Sequence, residues 1–320
     1  MAYDQFGLIS FTDFNNFVGT DSSVTPSTAV NALNSVLGVG SGDSGYGQPV
    51  VTNVAQFALV NASNWASLIN RAASAASHQG TAVTSLTAPT SGDRINYISA
   101  LSTNLSSIYS RRTSASSQGA SAATATTNAT AWSNAITFTH NVSFANADAV
   151  RYFFNAGGQI AITFEHPTGS GINSMFNSMA TAAGTVVISS PSSGTVSIAG
   201  TTFNGVTKVG GSGSASTVGT NVGYYALTTS NQRIFTQAAS SAPSGYTSSV
   251  ITVDVRSNGT QGTNADRGTV LTITTVWDEI PNGLIVSSGT RTTVTVRNPS
   301  SSYLSPSWQT VSVTGSVTGS

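Results

Sequence analysis

The clearest pattern on the chain lies between residues 132 and 166. Ile136, Phe138, His140, Val142 and Phe144 occupy alternate positions, and Thr137, Thr139, Asn141 and Ser143 fill the places between them. Successive side chains of an extended chain point to opposite faces, so this period of two predicts a half-buried antiparallel strand. Ile160, Ile162 and Phe164 repeat the alternation against Gln159, Ala161, Thr163 and Glu165. Between the two, Ala145 to Phe154 reads as one short helix that lays Val150, Phe153 and Phe154 on the sheet. Asn155-Ala156-Gly157-Gly158 then turns the chain, because glycine reaches positive φ without steric cost.

The chain beyond this stretch reads as β. Val186-Val187-Ile188 and Val196-Ser197-Ile198 flank a serine-rich turn and predict a hairpin. Ile251, Val253 and Val255, then Leu271, Ile273 and Trp277, then Val294 and Val296, then Val311 and Val313 mark further short strands. Short strands joined by polar turns argue for a sandwich, with Tyr224-Tyr225 and Ile234-Phe235 covering one end.

The chain ahead of it reads as helices and loops. Thr12 caps a helix carrying Phe14, Phe17 and Val18, closed by Gly19. Thr25-Pro26 opens a second, with Val30, Leu33 and Leu37 as its stripe and Gly38 beyond its end. Asn61 or Ser63 caps a third, on which Trp65, Leu68, Ile69, Ala72 and Ala76 share a face. His78-Gln79-Gly80 ends it, and a charged His78 there suits the helix dipole. A fourth spans Gly92 to Arg112. Its Ile98, Leu101, Leu105 and Ile108 have the 3, 4, 3 spacing of a coiled-coil seam. Two heptads fit either a helix pair within the chain or a seam between chains, most naturally three.

The expected fold class is therefore α+β, mainly β. A small helical docking module covers 1–112, a Ser/Ala/Thr-rich linker, or a strand of low information, 113–130, and a first β block 131–205. A second β block, 206–320, completes an antiparallel β-sandwich.

Composition narrows the function. Only 7% of the residues are charged, against roughly a quarter in an ordinary soluble domain. Eleven basic side chains balance eleven acidic ones, and Lys208 is the only lysine. A neutral, hydroxyl-rich surface suits a chain buried in a large assembly, and equally an extracellular β protein. No cysteine is present, which excludes disulfides and thiolate metal sites. No basic cluster invites nucleic acid. No apolar run approaches the ~20 residues of a membrane span, and the first residues lack a secretion signal.

Candidate chemistry is sparse. The loop Gly40 to Gln48 is rich in glycine but lacks the lysine and Ser/Thr of a phosphate cradle, and it reads as a packed turn anchored by Tyr46. The only glutamates are Glu165 and Glu279. Glu165 and His166 are strand neighbours and face opposite ways, and Asp278-Glu279 reads as a solvated turn. Asp254, Asp266 and Asp278 have no catalytic spacing. His140 reads as a core histidine. Asn258, Asn264 and Asp266 in the loop 257–268 offer oxygen ligands of the kind calcium takes. No catalytic, cofactor-binding or metal-binding residue is assigned, and no enzyme is expected. Tyr303 and Trp308 are the aromatics that a glycan could stack on.

Several segments resemble virion structural proteins of tailed bacteriophages, particularly those of marine bacteria. They are Asp13-Phe14-Asn15, Leu37 to Gly40, Gly45 to Gln48, Trp65 with Leu68, and His78-Gln79-Gly80. Most specific is Ala149 to Ile160, AVRYFFNAGGQI. Gly223-Tyr224-Tyr225, Leu227 to Thr229, Ile234-Phe235 and Val253 to Gly268 extend the likeness over most of the chain. The resemblance implies a particle component of tail or tail-fibre type, with no catalytic residues to transfer. The chain has neither a repetitive shaft nor a variable tip, which fits a compact tail, baseplate or neck component better than a whole fibre. The expected partners are other virion proteins and further copies of the chain, as a trimer or ring. The alternatives are a tail-fibre module that binds a host surface glycan and a capsid decoration protein.

Overall fold

The computed structural model describes residues 11–19, 32–40, 42–212, 216–239, 245–260, 268–279 and 283–319. Its helices are α1 Phe11–Val18, α2 Leu33–Leu37, α3 Ala62–Gln79, α4 Ile98–Ser110, α5 Ala147–Asn155 and α6 Ile172–Ala183. Its strands are β1 Gln118–Asn128, β2 Ala135–Ser143, β3 Gln159–Glu165, β4 Thr185–Ile188, β5 Val196–Ile198, β6 Thr201–Phe203 and β7 Val206–Val209. They continue with β8 Ser216–Val218, β9 Gln232–Ala238, β10 Val250–Ser257, β11 Val270–Asp278, β12 Arg291–Pro299 and β13 Ser312–Gly319.

The protein is α+β and mainly β. One antiparallel sheet has the order β1-β12-β3-β4-β7 and the other β13-β2-β11-β10-β9-β8. Their inner faces meet: the Phe164 and Phe235 rings stack at 5.9 Å, and Trp277 Nε1 donates to Thr292 Oγ1 at 3.4 Å. The alternation on β2 is buried as its period predicts, with Ile136, Phe138, His140 and Val142 inside and the threonines half-exposed. The two sheets come together where Thr127 of β1 bonds His140 of β2.

Four expectations change. The expected linker 113–130 contains β1, an edge strand of eleven residues paired with β12 from Thr127↔Thr292 to Gln118↔Pro299. Alanine and threonine look structureless in sequence, yet a hydroxyl ladder (Thr124–Thr295, Thr126–Thr293) and the half-buried Ala123 and Ala125 suit a sheet edge. The blocks 131–205 and 206–320 are not separate layers: β3 pairs with β12 and β2 with β11, so both stretches supply both sheets. β4 does not form a hairpin with β5. It lies between β3 and β7, and β5 pairs instead with β6 through Ala199-Gly200 at positive φ, the backbone that a two-residue hairpin turn needs. Val196, Ile198 and Phe203 of that hairpin make a small second core with Ala115, Ala161 and Val187. Ile234-Phe235 belongs to β9 inside the sheet rather than to a cover at its end.

The helical module shares one core with the sheets, running from Phe14 to Val311. α3 starts in a capping box, where Asn61 and Asn64 exchange side-chain-to-backbone bonds, and stops at Gly80 in the left-handed conformation. Thr12 lies inside α1 rather than ahead of it, and Thr25-Pro26 falls outside the described residues. Trp65 and Tyr97, at the starts of α3 and α4, hold their rings 6.2 Å apart. The last turn of α3 reaches the sheets through His78 O, which accepts from Ser116 N, and the chain leaving α4 does so through Ser114 Oγ, which accepts from Ser197 N. The two helices thus lie side by side, with their C-terminal ends joined to the sheets. Ile98, Leu101, Leu105 and Ile108 are all buried inside the chain, packed in this shared core. Their stripe packs within the chain, as the intramolecular helix pair requires.

Candidate functional site

α5 is the joint between module and sheets. Asn146 caps it by accepting from Ala149 N at 2.8 Å. The buried Arg151 donates to Ser44 O and Val39 O, each at 2.8 Å, and pairs with Asp148 Oδ1 at 3.0 Å. One turn later Asn155 Nδ2 faces Gly42 O, Ser44 O and Gly45 O at 2.9–3.2 Å, and Tyr225 donates its hydroxyl to Asn155 Oδ1 at 2.6 Å. The loop around Gly42–Gly45 therefore turns its carbonyls inward onto the protein's own donors. A phosphate site needs the opposite polarity, backbone N–H groups aimed at the anion. Gly45 is required here, since its φ is +88° and a Cβ would stand 2.6 Å from Gly38 O.

Tyr46 anchors this loop as the sequence predicts: it is fully buried, and its hydroxyl accepts from Gln79 Nε2 at 2.7 Å. Burial raises its pKa far above the usual phenol range. Gln48 ties the loop to the segment after β12, donating to Ser305 O at 2.7 Å and accepting from Ser305 N at 2.8 Å.

The histidines are separate and structural. His140 is buried between the sheets with Nε2 3.1 Å from Thr127 Oγ1, and burial lowers its pKa to about 4. His78 also drops to about 4 through burial, against a smaller opposing effect of its bond to Ala156 O at 3.0 Å. It is therefore neutral at the end of α3 and does not serve the dipole as a cation. His166 bonds Thr290 Oγ1 at 2.9 Å and Asn173 Oδ1 at 3.1 Å, and burial lowers its pKa too.

Among the described residues the carboxylates do not converge. Glu279 is buried, not solvated: its oxygens accept from Leu284 N at 2.8 Å and Asn134 N at 3.3 Å, holding the end of β11 to the start of β2. Asp254 is spent on Arg233 through two bonds of 2.7 and 3.1 Å. Asp278 lies four residues along β11 from Thr274, the partner of Asp254, roughly 13 Å away at strand rise; burial raises its pKa. Glu165 pairs with Arg291 on the neighbouring strand. In the loop 257–268, Asn258 Oδ1 accepts from Thr269 N and Val270 N as a turn brace, and Asn264 and Asp266 lie outside the described residues. Among the described residues no three His, Asp or Glu side chains gather as a metal site would need.

Trp308 is only 2% exposed, so its ring offers no face for a sugar; Tyr303 is half-exposed. A shallow cleft of about 500 Å³ lies beside Trp308, between the bulged start of β1 and residues 298–310.

The surface feature that sequence periodicity misses is a bare apolar tip. Ala55, Gln56, Phe57, Ala58 and Leu59 are consecutive and exposed, Phe57 at 87% and Leu59 at 89%. Ala58 N donates to Ala55 O, closing a tight turn, and Phe57 occupies its third position at φ +66°. That position favours glycine or asparagine, and a bulky residue there is strained. The turn is braced on both sides. Asn15 of α1 exchanges two 2.9 Å bonds with the backbone of Val54, and the capping box of α3 begins at Asn61. The tip thus stands just ahead of α3, beside α1. A signal was present in the sequence: an uncharged AQFALV run between two helices, too short for either period.

No protein-family model, no curated protein and no solved structure matches the chain.

Proposed function

We propose that this chain is a non-enzymatic structural subunit of a tailed-bacteriophage virion, in the tail, baseplate or neck, and that it acts through contacts between chains. The observation that carries this reading is the braced tip. Leaving a phenylalanine and a leucine in water forgoes about 1.5–3 kcal/mol for each side chain, and a non-glycine residue at positive φ adds about 1–3 kcal/mol of strain. Such a cost is recovered when a partner covers the tip, and phenylalanine is among the residues enriched at the core of protein interfaces. The histidines, Arg151 and Glu279 support the same reading, since each is occupied in holding one element to another. The outward face of the second sheet carries Thr137, Thr139, Asn141, Thr272 and Thr274, a neutral hydroxyl surface suited to a crowded particle.

Three measurements test the proposal together. Peptide mapping of purified particles is expected to find the chain in stoichiometric amount, and imaging to place it in the tail region. Light scattering of the purified protein is expected to show a multimer. A monomer at the highest concentration reached, combined with absence from particles, overturns the reading.

A further inference from the structure

The tip has a complement on the same chain. α3 and α4 leave between them a groove of about 290 Å³, roofed by residues 81–86. Ala72, Ala73 and Ala76 on one wall keep it open, and Val83, Leu86 and Ile108 give it an apolar lining. Asn104 pins the roof through two bonds to the backbone of Thr84, at 2.8 and 2.9 Å, so the groove is built rather than left over. Among the described residues no charged one lines it, and none lies between Thr52 and Val60 in the sequence. An engineered protein cavity of about 150 Å³ is known to hold benzene, so this groove has room for a phenyl ring and a leucine side chain.

We propose that the tip formed by Phe57 and Leu59 of one copy lodges in the α3–α4 groove of the next copy. The inference rests on the structural-subunit reading and names the partner at that surface. The tip does not reach its own groove. It is tied to α1 through Val54 and stands just ahead of Ala62, whereas the groove begins at Ile69, roughly 10 Å further along the helix at 1.5 Å per residue. Two different patches on one chain make a heterologous contact. Repeated, such a contact closes into a ring or runs on as a helical stack. Neutral charge on both sides fits a contact driven by apolar burial and indifferent to salt.

Three proteins test it by light scattering over a concentration series: the full chain, Phe57→Gly and Ala73→Trp. Ala73 is exposed, so the larger ring fills the groove without entering the core. Both variants are expected to be monomeric where the full chain is multimeric. Phe57→Gly is also expected to unfold at the same temperature as the dilute full chain or higher, because glycine accepts the turn's positive φ; a drop in association together with a drop in melting temperature counts against the tip as an anchor. Mixing the two variants is the sharper test. Phe57→Gly keeps an intact groove and Ala73→Trp an intact tip, so a one-to-one heterodimer that grows no further is expected. A full chain that multimerises while both variants still do so removes the tip-and-groove contact and leaves the subunit reading standing. Loss of association in Phe57→Gly alone also overturns the inference, because the tip then lodges elsewhere.

Discussion

His140 and His78 show what a nearly charge-free interior does with the few ionisable groups it contains. Each is neutral when folded because burial opposes the imidazolium, and each falls from 6.5 to about 4. Unfolding releases them to their ordinary value, so between those limits the unfolded chain binds more protons. Stability from these groups is complete above about pH 6.5 and is lost as pH falls toward 4. A shift of this size corresponds to about 3 kcal/mol per histidine at most, a large share of the roughly 5–15 kcal/mol that holds a domain together. Asp278, raised by burial, works in the opposite sense and only at the acid end. The expected outcome is a urea midpoint that is flat from pH 8 to 6.5 and then falls steeply. In His140→Leu the slope should shrink but not vanish, because His78 and His166 are lowered by burial as well. An unchanged slope in that variant means that His140 is not buried neutral.

Among elements, α5 and β1 repay attention because sequence reading served them so differently. The run Ala149 to Gly158 announced a helix and a turn, but nothing local revealed that Arg151 and Asn155 reach back more than a hundred residues to the carbonyls near Gly45. Contacts of that span have no period. Replacing Arg151 by alanine leaves Val39 O without this donor and Ser44 O with Asn155 Nδ2 alone, and an acceptor left unsatisfied costs about 1–3 kcal/mol. Stability should drop by about 1–3 kcal/mol, and limited proteolysis should cut first between residues 39 and 47; a cut elsewhere argues against α5 as the clamp. In β1, propensity misled, because alanine and serine are poor strand formers and only pairing with β12 makes the segment extended. Alternate residues of an edge strand donate to their neighbour. Of Thr124→Pro and Ala125→Pro, one should therefore cost about 3 kcal/mol, the penalty for losing an element's backbone bond, and the other much less. A flexible linker tolerates both, so two mild variants in a denaturant titration would remove the strand. α6 has no counterpart among the predicted elements. Its Ile172, Met175, Phe176, Met179 and Ala183 carry a legible helical spacing, and all five are buried; the glycines flanking them make that stretch look like loop.

At the scale of the whole molecule, the mainly β class was legible because alternation survives at almost every long strand. The partition into modules was not, because polar serine-glycine stretches resemble boundaries while the strands they join cross between sheets. One main core serves the helices and the sheets alike. Trp65 of α3 and Trp277 of β11 belong to the same buried cluster, and the socket around Tyr46, His78 and Arg151 spans the joint between module and sheets. A docking module that hung from the sheets on a linker would melt independently of them. A module that shares their core loses its packing when they do, and a shared core is the physical basis of all-or-none unfolding. The two cases separate in one experiment. A variant keeping Trp65 as its sole tryptophan reports on the helices by fluorescence, and a variant keeping Trp277 alone reports on the strands of the sheets. Coincident midpoints are expected in urea and on heating. Trp132 and Trp308 are core residues and are replaced in both variants, which makes the two comparable. If the Trp65 signal changes well before the strand signal in both solvents, the helical part is an independent unit and the joint at α5 is a contact rather than a core.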